Sequence, residues 1–328
     1  MNLAPAYCLP PDKRQNLRKA RSLTWISMAF LLSIIGVLLL LRGDSQIMQV
    51  AWLDDLLGLI PSISFLLASR TCEKAPDPEF PYGHTRAVSI AFLCAALTLT
   101  LMGGYLLYES AALLASRTHP TIGSIEMFGH TVWMGWPMMA ALVYSGIPPA
   151  ILGRKILPLA KTLHNKALYG DAMMKKADWM SALAGVAGVA GIGFGIWWAD
   201  AATAIVISLD ILKDGLVNLK NAVLDLMDRR PMDVENRHED PIGQDLQQRV
   251  AALDWVEDAA VRLREQGDMM TGAVYVTPGT ETDLLARLDE ARRLVNALHW
   301  RLYDVEVIPV RRLREPPSDE RETASGQA

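Results

Sequence analysis

The chain has 328 residues, of which 51% are hydrophobic, with a mean hydropathy of +0.17 and a formal net charge of -4. The apolar residues come in blocks rather than in alternation, which argues against an ordinary soluble domain, and the slightly acidic balance offers nothing to a nucleic acid. The three cysteines, Cys8, Cys72 and Cys94, form neither a CxxC pair nor an even-numbered set, so no disulfide framework and no thiolate metal site is expected.

Residues 1–21 are polar and basic, and the apolar run that follows is too long for the core of a cleavable signal peptide. Six candidate membrane spans follow: Ser22–Leu41, about 47–69, Ala87–Tyr108, about 131–152, 178–198, and 201 to about 219. The first, third and fifth rest on length and absence of charge. The others carry charges or prolines, including Asp54 and Asp55 in the second and Asp210, Lys213 and Asp214 in the sixth. Lysines and arginines crowd the N-terminal segment, the loop between spans two and three, and the segment between spans four and five, whereas the opposite loops have only Arg42 and Arg117. The positive-inside rule then predicts cytoplasmic termini.

The sequence changes character after Pro231. Residues 231–242 read as a polar linker. Residues 243–313 alternate between helical and strand periodicity in the order α-β-β-α-β, which predicts a small cytoplasmic α+β, ferredoxin-like domain for dimerisation, and residues 314–328 read as a disordered tail. The predicted fold class is thus an α-helical membrane protein, a six-helix bundle over residues 22–230 followed by this module.

Ionisable residues within spans are expensive and mark function. Asp54 and Asp55 lie inside the second span, about 100° apart on a helix, so unequal roles are expected. In GDAMMKKADWMS, residues 170–181, Asp171, Met174 and Asp178 share one helical stripe at the mouth of the fifth apolar run. Lys175 stands four residues after Asp171, at ion-pair spacing, whereas the position four after Asp178 is Ala182. Asp178 is therefore the best candidate for a membrane-embedded ligand. Ahead of the third span, Asp77, Glu79 and His84 are candidates for a loop metal site.

PYGHTRAVSIAF, entering the third span, resembles the YGHxRxE-type signature of the cation diffusion facilitator family. ALYGDAMMKKADWMSALAGV resembles that family's fifth helix, and the stretch from Trp198 to Pro231 its sixth. The resemblance runs from about Leu23 to Val310. It implies a homodimeric exporter in the cell membrane that moves Zn²⁺, Mn²⁺, Fe²⁺ or a similar dication out of the cytoplasm in exchange for protons. No permanently bound cofactor and no enzymatic activity are implied. The family's transport site uses two residues four apart on helix two and two on helix five. Asp54 and Asp178 match, whereas Gly58 and Met174 replace the other two ligands. Asp77 and His84 match a second, loop-borne site whose remaining histidine is Phe80 here. Arg86 with Asp228 matches an ion pair that supports the family's dimer.

Two carboxylates alone make a poor zinc site, which wants three or four protein ligands. Three readings are open. Asp55, Asp171, Met174 or water completes the set; the cargo is a harder ion that keeps water ligands; or Lys175 or Lys176 supplies a fixed charge where metal once sat, leaving a non-transporting dimer partner or regulator. No HExxH and no GxxxxGK[ST] occurs, which argues against a metalloprotease and against ATP-driven transport.

Overall fold

The computed structural model describes residues 9–41, 46–116, 124–127, 130–133, 135–196, 198–280 and 282–313; for 37–41, 46–55, 124–127, 130–132 and 199–200 it describes the backbone alone. Residues 1–8 and the tail from 314 onward lie outside the described residues. Six long helices come first: α1 Pro11–Leu41, α2 Gln46–Thr71, α3 Arg86–Ala115, α4 Gly135–Leu163, α5 Lys166–Gly193 and α6 Ala199–Leu226. A short antiparallel hairpin, β1 Ser124–Met127 and β2 His130–Trp133, lies between α3 and α4.

Helix α1 begins at Pro11, so much of the polar N-terminal segment is helical. Other boundaries differ from those expected. The fourth span was placed from 131, yet residues 130–133 form a strand and the helix starts at Gly135. The fifth was placed from 178, yet α5 begins at Lys166, so Asp178 stands near the middle of a helix rather than at its edge. Lys166, Lys175 and Lys176, counted as loop charges, therefore belong to α5.

The start of α5 has a local cause. His164 adopts a positive φ of 49° that ends α4, and Asn165, in extended conformation, caps α5 by accepting a hydrogen bond from the Leu168 N–H at 2.9 Å. That cap fixes the phase of the helix, and with it the directions of Asp171, Met174, Lys175 and Asp178. Helices α3 and α6 approach closely at two glycines. A Cβ on Gly103 would lie 2.7 Å from the Leu212 backbone nitrogen, and one on Gly215 would lie 2.8 Å from the Thr100 backbone, so neither position has room for a side chain.

The helical core is built around Phe65, Phe92, Ile156, Leu163 and Leu168, all almost wholly buried. The outside of the bundle is also apolar. Leu101, Tyr144, Ile147 and Val206 are each at least half exposed. Exposed apolar surface of this extent is costly in water and suits hydrocarbon. Among the described residues, α3 alone meets the combined length and hydropathy expected of a span, with a mean hydropathy of 2.0 over its best window.

The C-terminal unit runs α7 Ile242–Ala251, β3 Val256–Gln266, β4 Met269–Pro278, α8 Leu284–Leu298 and β5 Leu302–Pro309. Its three-stranded sheet has the order β3-β4-β5, with β3 antiparallel and β5 parallel to the central β4. The parallel connection passes through α8, as a crossover must. Leu246, Val250, Val274, Ala291 and Val295 form its core. The stretch read as a polar linker is packed rather than loose: Met232 bridges Glu239, and Pro231, Val234 and Asp240 are buried.

Candidate metal site in the helical bundle

A small cavity opens between α1, α2, α4 and α5. Asp178, Met174 and Lys175 of α5, Ser62 and Gly58 of α2, and Ser27 of α1 line it, with apolar side chains of α1 and α4 closing the rest. Asp178 is partly exposed to this space. Met174 is 1% exposed and also packs against Leu99, Met102 and Ile211. A Cβ on Gly58 would lie 3.9 Å from the Met174 methyl carbon, so the glycine and the thioether face one another across α2 and α5. The cavity thus brings together Asp178, Met174 and Gly58, three of the four positions the family resemblance assigned. Asp54 and Asp55 lie on the stretch of α2 whose side chains are outside the described residues.

Asp171 does not line this cavity. It is fully buried one helical turn below Lys175, whose Nζ lies 2.7 Å from Asp171 Oδ1. The hydroxyl of Ser62 donates to the same oxygen at 2.5 Å. The i,i+4 pair is as the sequence spacing suggested, and Asp171 is buried as its acidic member rather than lining the cavity. Lys176 turns the other way and binds Asp214 at 2.9 Å and Asp210 at 3.4 Å on α6.

The loop before α3 brings His84 Nε2 within 3.8 Å of Asp77 Oδ2. Asp77 Oδ1 accepts hydrogen bonds from the backbone N–H groups of Glu79 and Phe80, an Asx turn that shapes the loop. Phe80 stacks obliquely on His84 at 4.6 Å. No cluster of three or more His, Cys, Asp or Glu able to hold a metal occurs among the described residues. Asp228, in a left-handed conformation just past α6, binds Arg86 at 3.0 Å and Arg264 of β3 at 2.8 Å, within one chain.

Sequence reading missed an extended charge cluster at the junction of the helices and the C-terminal unit. Lys166 Nζ binds Asp225 Oδ2 and Asn236 Oδ1, each at 2.8 Å, and Glu265 Oε2. Arg301 binds Asp240, the Asp268 carbonyl and Glu265. His164 Nε2 faces two acceptors, the Met232 carbonyl at 3.1 Å and Glu265 Oε1 at 3.3 Å, so it carries the proton. Burial by itself pushes the Glu265 carboxyl up, but the His164 hydrogen bond and the charges of Lys166, Arg301 and His164 outweigh it and hold the pKa at about 2. The one signal available in sequence was Arg229 four residues after Asp225, an ion-pair spacing that the structure fills at 2.7 Å.

Residues 22–227 match the model of the cation efflux transmembrane domain. The manganese efflux system protein MneS of Bacillus subtilis (strain 168) is 27% identical over 204 residues, 62% of this chain and 66% of that protein, just under two thirds of its length. The manganese efflux system protein MneP of the same organism is 24% identical over 276 residues, 82% of this chain and 86% of that protein. With the family match extending over most of the chain and enclosing the whole cavity, this protein belongs to the cation efflux family.

Proposed function

We propose that this protein exports a divalent metal cation from the cytoplasm, in exchange for protons, through the cavity beside Asp178. The observation that carries the reading is a carboxylate at the middle of α5 lining a cavity inside the domain that matches the cation efflux model. A carboxylate in such a setting is rarely a bystander. Ser27 and Ser62 add hydroxyl oxygens, and Met174 adds a thioether. Oxygen donors with room for water suit Mn²⁺ better than the tetrahedral demands of Zn²⁺. The names of the two relatives point the same way. Asp54 is the proposed partner of Asp178 across the bundle, Asp55 its alternate by a one-residue slip, and Asp171 a supporting residue. Two facing carboxylates repel when empty, which is the physical basis for exchanging metal against protons. Six membrane-crossing helices, cytoplasmic termini, a homodimer held in part by Arg86 and Asp228, and a peripheral Asp77–His84 site belong to the same proposal, as does the absence of enzymatic activity.

The test is flux. Purified protein in sealed vesicles with an imposed proton gradient is assayed for uptake of Mn²⁺, Zn²⁺, Fe²⁺ and Co²⁺, with Asp54→Ala and Asp178→Ala beside the wild type. Flux of one ion that disappears in Asp178→Ala supports the reading and names the cargo. No flux of any ion, with the variants behaving as wild type, overturns it in favour of a non-transporting dimer partner or regulator, the reading that Gly58 at a ligand position favours.

A further inference from the structure

Helices α7 and α8 cover one face of the three-stranded sheet, where Val261, Val274 and Val305 join the core of the C-terminal unit. The strand register puts the alternate residues on the opposite face, which carries neither helix. There β3 contributes Arg262 and Arg264. They pair with the small Ala273 and Thr271 of β4, which pair in turn with Glu306 and Asp304 of β5. One edge of this face is therefore cationic and the other anionic, with a shallow floor between them. Farther from the helical bundle the next row, Ala260–Tyr275–Ile308, is apolar.

The two edges are poorly compensated within the chain. Arg262 and Glu306 are exposed, and among the described residues neither they nor Asp304 form an ion pair. The Arg262 guanidinium lies 5.7 Å from the centre of the Tyr275 ring, and Arg264 binds Asp228 at 2.8 Å. Asp304 and Glu306 stand side by side on one face of β5. Burial and the Glu306 charge raise the Asp304 pKa above its ordinary value, against an opposing effect of Arg292 on α8. A cation brought against this edge relieves that repulsion. Symmetry supplies one. Two identical sheet faces stack about a two-fold axis lying between them. An axis along the strands sets the cationic edge of one copy on the anionic edge of the other, level with it. An axis across the strands sets like charge on like and sends the two bundles to opposite ends. The β3–β4 turn abuts α3: Gly267, with a φ of 75°, donates its N–H to Ser89 Oγ at 3.1 Å, so β4 leads away from the bundle. An axis along β4 thus keeps both bundles at the same end.

We infer that a second copy of this chain docks on this sheet face about a two-fold axis along β4, with Arg262 of each copy against the partner's Glu306 and Arg264 beside the partner's Asp304. The inference rests on the homodimer reading above and deepens it by assigning the surface and the register. The small Ala273 and Thr271 let the faces approach, Tyr275 and Ile308 supply apolar contact, and the charged edges reject the reversed orientation.

The dimer dissociation constant of the purified full chain in detergent is measured by sedimentation for wild type, Arg262→Glu, Glu306→Arg and an equimolar mixture of the two variants. Each substitution makes both symmetry-related contacts like-charged and weakens the dimer at least about tenfold. In the mixture one copy has two anionic edges and the other two cationic edges, so the mixed dimer forms within about threefold of the wild-type constant. A change of less than about twofold in both variants, or a mixture no tighter than its components, overturns the inference and leaves a homodimer built on another surface. A monomeric wild type overturns the homodimer reading and the inference with it. A second readout needs no substitution. Raising salt from about 0.1 M to about 1 M screens the paired edges and loosens the wild-type dimer several-fold. A dimer equally tight or tighter at high salt overturns the inference even if a variant does not fold.

Discussion

Helix α5 carries two buried lysines, Lys166 at 4% and Lys175 at 3% exposure, in very different company. Lys166 spends its three N–H donors on three acceptors from α6, the segment after it, and β3. Its partners are in turn held by Arg229, Arg301 and His164. Lys175 has two acceptors, Asp171 and Ser62, beside an oxygen of Asp171 without a partner and an open cavity. Equal burial therefore serves two ends. The Lys166 network ties the C-terminal unit to α5 and α6, whereas the Lys175 pair stands beside a cavity; each keeps a buried polar atom without a hydrogen-bond partner among the described residues, Asn236 Nδ2 and Arg229 Nε in the first and Asp171 Oδ2 in the second.

The comparison is broken most directly at Lys166. Lys166→Met leaves Asp225 and Glu265 buried with less compensation and is expected to cost about 3–5 kcal/mol, read as a large fall in thermal melting temperature. Asp171→Asn/Lys175→Met, which removes both charges of the other pair, is expected to melt within about 1 kcal/mol of wild type. Equal losses in the two variants would mean that the two lysines do the same job.

Acid addresses the same difference. The folded pKa of Glu265, about 2, lies below its ordinary value of 4.5. A carboxyl depressed on folding contributes stability that is complete above the unfolded pKa and disappears as pH falls through the folded one. Stability should therefore decline from pH 4.5 towards about 2 in the wild type. Glu265→Gln removes this component of the slope, and a pH-stability curve parallel to the wild type in that window would refute the assignment.

Two smaller effects sharpen the picture. Gly58→Asp places a carboxylate opposite Met174, where a Cβ has 3.4 Å to the nearest Leu31 carbon. It should tighten Mn²⁺ binding by about tenfold, roughly 1.4 kcal/mol; weaker binding would show that the glycine side of the cavity does not face the cargo. The smallest effect is expected at Arg86, whose side chain is 44% exposed and whose partner Asp228 is 40% exposed. Arg86→Ala should change monomer stability by under about 1 kcal/mol, and a larger loss in a dimerisation assay would locate its role between subunits.

Much of the site was legible in the sequence because it is local. Asp171, Met174, Lys175 and Asp178 lie within eight consecutive residues of one helix, and the 3.6-residue period alone puts them on neighbouring turns. The same period showed the Asp171–Lys175 pair. The fourth span was misplaced at its start because HTVW is a short apolar run that periodicity does not assign to helix or strand, and β-branched and aromatic residues there formed a hairpin instead. The fifth was placed late because a charged stretch reads as a loop when its partners are unseen. Asp171, Lys175 and Lys176 sit inside α5 because Ser62, Asp210 and Asp214 meet them.

By itself, then, the sequence determined the helical bundle, the order of elements in the C-terminal unit and the helical grouping of Asp171, Met174, Lys175 and Asp178, since each follows from hydrophobic period and short-range spacing. Only the tertiary structure decided which partners each buried lysine meets. Lys166 and Glu265 are 99 residues apart, and Ser62 and Lys175 are 113 apart. Which acceptors a buried charge meets depends on segments brought from such distances, and no local pattern records it.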